Sequence, residues 1–185
     1  MTEPARRILV LQTTRMGDML QTSPLIRLLR NCYPHAFLAV MVRKMSLPVA
    51  ERIPGIDEIL IYDEDEIYLN LRRNDCDSLL AAYKQVETYV DDIKKRRFDV
   101  AYNCTQSIGS ALLLKLADVP LVIGAHYSLD WQFVLRGKWT NYLFTSLRHR
   151  TFNDFNLSDV FRNLAFDDSK NPTILLENLP KQVEF

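Results

Sequence analysis

Short aliphatic runs alternate along this chain with segments whose apolar residues recur every three or four positions, and that alternation most limits what it can fold into. Arg7–Gln12 carries Ile8, Leu9, Val10 and Leu11 without a polar break. A run apolar on both faces suits a strand inside a parallel sheet. Leu25, Leu28, Leu29 and Cys32 then fall at i, i+3, i+4 and i+7, one face of a helix. Phe37–Val42, Asp57–Tyr62, Asp99–Cys104 and Leu121–Ala125 read as four more strands. Between them lie a short helix over Ser46–Arg52, closed by Pro54-Gly55, and an apolar helix over Ser107–Ala117. A longer helix is marked by Leu79, Tyr83, Val86, Val90, Ile93 and Arg97 at near-heptad spacing. Its last turn, Lys94-Lys95-Arg96-Arg97, complements the negative end of the helix dipole. The pattern predicts an α/β fold: a mostly parallel sheet with helices on both faces. Asp63–Ser78 reads as a charged, irregular surface insertion, and residues 127–166 as helical or irregular. Residues 1–170 make one domain in this reading, and 171–185, punctuated by Pro172 and Pro180, read as a linker.

Lys+Arg and Asp+Glu balance at 23 each, so net charge gives no pull toward nucleic acid, and no nucleic-acid partner is expected. Cys32, Cys76 and Cys104 are odd in number and widely separated, and no CxxC occurs. With His35, His126 and His149 they make no metal-ligand spacing, so reduced thiols and no metal are expected. Nothing reads as a signal peptide or a transmembrane span, and the protein is expected to be cytoplasmic.

The candidate chemistry collects at two places. The first strand runs into Thr13-Thr14-Arg15-Met16-Gly17-Asp18, and a helical pattern follows. A loop at the carboxyl end of a strand is where open α/β sheets bind ligands. Asp18 there reads as a base, or simply as a first-turn acid favoured by the helix dipole, with Gly17 supplying an unusual turn. The hydroxyls of Thr13 and Thr14 could take sugar hydroxyls and Arg15 an anionic group, or all three serve the turn itself. Ser23-Pro24 is either a cap with Pro at the first helical position or a kink inside a helix that begins at Gly17. The second place is residues 126–155, where Trp131, Trp139 and six Phe or Tyr residues mix with Arg136, Lys138, Arg148 and Arg150. That mixture suits an anionic glycan acceptor or a membrane surface, or an aromatic core with snorkelling bases. Asp63-Glu64-Asp65 and Asp75-Cys76-Asp77 both spell DxD but sit in the charged insertion and read as solvated surface. No GxGxxG and no GxxxxGK[ST] is present, against a dinucleotide dehydrogenase and a P-loop NTPase.

Thr14-Arg15-Met16-Gly17-Asp18, Thr22-Ser23-Pro24 and Tyr33-Pro34, in that order and spacing, resemble the N-terminal motif of the bacterial lipopolysaccharide heptosyltransferases. Gln106, Ser110, Ala111 and Val122-Ile123-Gly124 also fit, with Ser107 where the family has Gly. Asn156 stands where members often carry His. The resemblance covers roughly residues 7–166. It implies a Rossmann-like domain, the N-terminal, acceptor-binding half of a GT-B glycosyltransferase, with 171–185 leading to a donor domain. It implies Asp18 as catalytic base and substrate contacts at Thr13, Thr14, Arg15, Gly17, Gln106, Ser107, Arg148 and Arg150. The reaction implied is inverting transfer of heptose from ADP-heptose to a lipopolysaccharide core or other anionic glycan, without metal or other cofactor. A peripheral contact with the inner membrane goes with that acceptor. The alternative is a non-catalytic α/β module that binds an anionic sugar or a protein.

Overall fold

A computed structural model describes residues 7–148, 155–167 and 173–175. Strand β1 (Arg7–Gln12) pairs in parallel with both β2 (Phe37–Arg43) and β4 (Val100–Asn103). It therefore lies inside the sheet, as its unbroken apolar run requires. With β3 (Glu58–Tyr62) and β5 (Leu121–Tyr127) these make a parallel core, and β6 (Phe133–Arg136) and β7 (Thr173–Leu175) extend it antiparallel. The order is β3-β2-β1-β4-β5-β6-β7.

Side chains of β1 alternate between two cores. Ile8 and Val10 face α1 (Met16–Cys32) and α7 (Leu157–Asn163), joined by Leu143 from α6 (Lys138–Arg148). Leu9 and Leu11 face α4 (Cys76–Arg96) and α5 (Ile108–Leu116), with Ile67 from α3 (Glu64–Arg72). Helices thus cover both faces of the sheet.

Several local readings of the sequence change. The charged segment 63–78 is largely helical: α3 holds Glu64, Asp65 and Glu66 in its first turn, where acids favour the dipole, and only Ile67 is buried. One buried residue in nine gives no periodicity to read. Both DxD stretches lie at the surface, as read, and each also caps a helix. Asp63 Oδ1 accepts from the Glu66 N–H at 3.3 Å, and Asp75 Oδ1 from the Ser78 N–H at 2.8 Å. Strand β6 lies within the segment read as helical or irregular. Its turn is closed by Trp131 at φ 58°, with the Ser128 N–H on the Gln132 carbonyl at 2.9 Å, and no Gly or Asn announces it. Of the tail only β7 is described, and its three residues pair with β6 at the edge of the sheet. Pro24 lies inside α1, which starts at Met16, so Ser23-Pro24 is not the helix cap. Cys32 is exposed, and the buried face of α1 is Met19, Thr22, Leu25, Ile26 and Leu29.

Candidate active site

The chain leaves β1 through α1 toward β2 and leaves β4 through α5 toward β5, so the order reverses between β1 and β4. Ligands of open α/β sheets bind at the carboxyl edge of such a switch point. Asp18 is the third residue of α1 and is half-buried there. Its N–H donates to the Arg15 carbonyl at 3.1 Å, and its Oδ2 accepts from the Arg15 N–H at 3.3 Å. Oδ2 also lies 2.8 Å from the Thr14 hydroxyl, which is equally 2.7 Å from Gln12 Oε1. Gln12 Nε2 donates to Thr22 Oγ1 at 2.9 Å, and the Thr22 hydroxyl donates to the Asp18 carbonyl at 2.7 Å. This closed network ties the first turn of α1 to the end of β1. It holds Oδ2, while Oδ1 has no hydrogen-bond partner among the described residues. A carboxylate with one anchored and one free oxygen can accept a proton from an incoming hydroxyl, and the helix N-terminus steadies its charge.

Gly17 does not supply an unusual turn. It is an exposed second helical residue with no positive φ, and an added Cβ would meet nothing within 4 Å. Glycine in a helix costs up to about 1 kcal/mol against alanine. Here it leaves bare backbone beside Asp18. Gly109 repeats the arrangement at the second residue of α5, where the nearest atom to a Cβ would be Ser107 Oγ at 3.9 Å.

The loops after β1 and β4 are stapled together. The Thr13 N–H donates to Thr105 Oγ1 at 2.8 Å, and the two hydroxyls lie 3.2 Å apart. The Thr105 N–H donates to Asn103 Oδ1 at 3.2 Å, and Asn103 Nδ2 donates to Ser110 Oγ and to the Ala125 carbonyl, at 3.0 and 2.7 Å. Thr13 is buried in this tie. Ser107 caps α5, its Oγ accepting from the Ser110 N–H at 3.0 Å. Gln106, at φ 54°, donates from Nε2 to the Thr140 carbonyl of α6 at 3.2 Å, and its Oε1 is buried without a partner among the described residues. Arg15 is exposed, and its guanidinium has no hydrogen bond or ion pair among the described residues. Arg148 ends α6, and Arg150 lies outside the described residues.

The structure thus gathers Thr13, Thr14, Arg15, Gly17 and Asp18 at one sheet edge, with Gln106 and Ser107 on the loop stapled to it. Sequence reasoning passed over Gln12, Asn103 and Thr105, which position that cluster. The signal for Gln12 and Asn103 is a polar residue closing an apolar strand. The aromatic segment divides. Trp139, Tyr142 and Phe155 pack edge to face at 5.3–6.1 Å, and Trp139 and Tyr142 lie against the main core. Trp131 is exposed, with Lys115 Nζ 5.4 Å from its ring centre. A cavity of about 410 Å3 lies between the end of α5 and the β5–β6 hairpin, walled in part by Lys115, His126 and Arg136, and takes no wall from the Asp18 cluster. Among the described residues no three His, Cys, Asp or Glu side chains converge as metal ligands, and no helix is long and apolar enough to cross a membrane.

No protein-family model and no curated protein matches the chain. Solved structures do. The glycosyl transferase family 9 protein from Veillonella parvula DSM 2008 is 18% identical over 89% of this chain and 42% of its own, with a TM-score of 0.62. E. coli heptosyltransferase WaaC with ADP-2-deoxy-2-fluoro heptose is 14% identical over 85% of this chain and 46% of its own, with a TM-score of 0.61. The same enzyme with ADP gives 0.59. The chain has the α/β fold of these glycosyltransferases and spans less than half the length of either protein.

Proposed function

We propose that this chain is the acceptor-binding domain of a heptosyltransferase-like glycosyltransferase, and that Asp18 is its base. The observation that carries this is the Asp18 carboxylate, anchored through Oδ2 at the switch point and open at Oδ1. An acceptor hydroxyl that reaches Oδ1 attacks the anomeric carbon of a nucleotide-activated heptose. The bond from that carbon to the diphosphate breaks on the opposite face, so configuration inverts, and the hydroxyl proton passes to Asp18. The same carboxylate stabilises the positive charge that develops on the sugar ring. Gly17 gives the acceptor access to the backbone, and Arg15, exposed and unpaired among the described residues, suits an anionic group on it. The donor is ADP-heptose, held by a second domain; the acceptor is a lipopolysaccharide core or another anionic glycan, met in the cytoplasm at the inner membrane. Arg148 and Arg150 serve that acceptor.

In a protein that joins this domain to its donor domain, Asp18→Asn should lower turnover by about 10²–10⁴-fold, the usual cost of losing a general base. The circular dichroism spectrum should stay that of the wild type. Turnover within a few-fold of wild type would remove Asp18 from the chemistry and leave a binding module.

A further inference from the structure

The apolar stripe of α4 is only half used by the fold. Val90 and Ile93 are buried, while Leu79 and Tyr83 on the same stripe are 59% and 64% exposed, and Leu80 beside them 51%. The Tyr89 hydroxyl accepts the Asp63 N–H at 3.0 Å, and its ring meets Tyr62 edge-on, so Tyr89 is level with the end of β3. From there back to Cys76, at 1.5 Å per residue, about 20 Å of α4 stands beyond the carboxyl edge of the sheet. There α3 packs against it: Gln85 Nε2 donates to Glu66 Oε2 at 2.9 Å, and Ser78 and Ala82 are buried. Cys76, Leu79, Leu80 and Tyr83, at i, i+3, i+4 and i+7, make an exposed face away from that contact.

The charges around this face select its occupant. Residues 64–87 hold six acidic and three basic side chains, a balance that an anionic lipid surface repels. Asp77 and Lys84 lie on the same flank of the stripe, seven residues apart. A two-fold axis perpendicular to a helix sets each flank against the same flank of its mate. With the axis between Leu80 and Ala81, Asp77 of one copy is level with Lys84 of the other, and the reciprocal pair forms as well. We propose that α4 pairs antiparallel with α4 of a second copy of this chain, through Leu79, Leu80 and Tyr83 and flanking Asp77–Lys84 ion pairs. Stable interfaces bury roughly 800 Å2 per partner. One helical stripe gives less, so the pair is reversible, with a dissociation constant in roughly the micromolar range.

Sedimentation equilibrium of the 185-residue chain should show the mass rising with concentration from 21.6 kDa toward twice that value. Leu80→Glu should hold it at the lower mass. Asp77→Lys and Lys84→Asp should each weaken association by about tenfold or more, because each sets like charges together twice. The double exchange should restore it, which no other register provides. A single mass at every concentration overturns the proposal, as does a dimer indifferent to Leu80→Glu or a double exchange that fails to rescue. Flotation with phosphatidylglycerol vesicles that Leu80→Glu abolishes, with the mass unchanged, would assign the face to a membrane instead. None of these side chains belongs to the Asp18 cluster, so either outcome leaves the proposed activity to its own test.

Discussion

His126, on β5, shows what a single buried side chain does to the whole chain's acid response. Its ring is buried, with Nδ1 3.1 Å from the Gly124 carbonyl. Burial pushes its pKa below the ordinary histidine value, the hydrogen bond opposes that, and the charges of Arg136 and Lys115 add to it. Below about pH 6.5 the unfolded chain therefore binds a proton that the folded chain refuses. More protons on the unfolded state means stability that falls as pH drops through the histidine range, until the folded ring protonates too. The thermal midpoint should decline from pH 7.5 to 5.5 more steeply in the wild type than in His126→Gln; equal slopes would show that the ring titrates normally. Asp167 pulls the other way, since burial raises its pKa against the lowering effect of the backbone N–H groups of Trp139 and Thr140. The test is therefore a difference between two proteins. Glu58, held low chiefly by its hydrogen bond from Arg96, acts only below the ordinary carboxylate range. At this scale the sequence groups Thr14, Gly17 and Asp18, because they are neighbours in the chain. The hydrogen bond from Thr13 to Thr105 joins residues 92 apart, and no local pattern announces it.

Elements show the same division through two glycines. Gly124 lies within β5 at φ 107°, where a Cβ would fall on the Asn103 carbonyl of β4. Gly17 has open space and an ordinary helical backbone. Gly17→Ala should therefore stabilise the chain by about 0.5–1 kcal/mol. Gly124→Ala should destabilise it by at least about 2 kcal/mol, through steric overlap and an unfavourable φ. Urea unfolding measures both, and a Gly124→Ala variant as stable as wild type would refute the close β4–β5 contact. Periodicity found β1, β2, β4, α4 and α5 because each buries enough apolar residues to repeat. It missed α3, which buries one residue of nine, and β6, whose turn rests on Trp131. Periodicity does not tell how much of α4 is covered, since a stripe of Leu and Tyr looks the same whether or not a sheet lies beneath it.

At the scale of the whole molecule, one sheet with helices on both faces is enough for an independently folding domain. Under the proposed function, the nucleotide diphosphate is held by a second domain, and the sequence has no glycine-rich phosphate loop to stand in for it. Isothermal titration of the 185-residue chain with ADP-heptose should then show no binding tighter than about millimolar, roughly 4 kcal/mol. Micromolar binding, or sugar transfer by the chain alone, would place the donor site within these residues and refute the two-domain proposal. The sequence by itself determined the α/β class, the central place of β1 and the position of Asp18 beside the end of that strand. Those follow from hydrophobic periodicity and from chain adjacency, which act over a few residues. Only the tertiary structure decided the rest: the strand order that makes the β1–β4 edge a switch point, the Thr13–Thr105 staple, the anchoring of one Asp18 oxygen with the other unpaired among the described residues, and the half of α4 that stands clear of the sheet. These depend on which distant segments meet, and burial and hydrogen bonding settle that only when the whole chain packs.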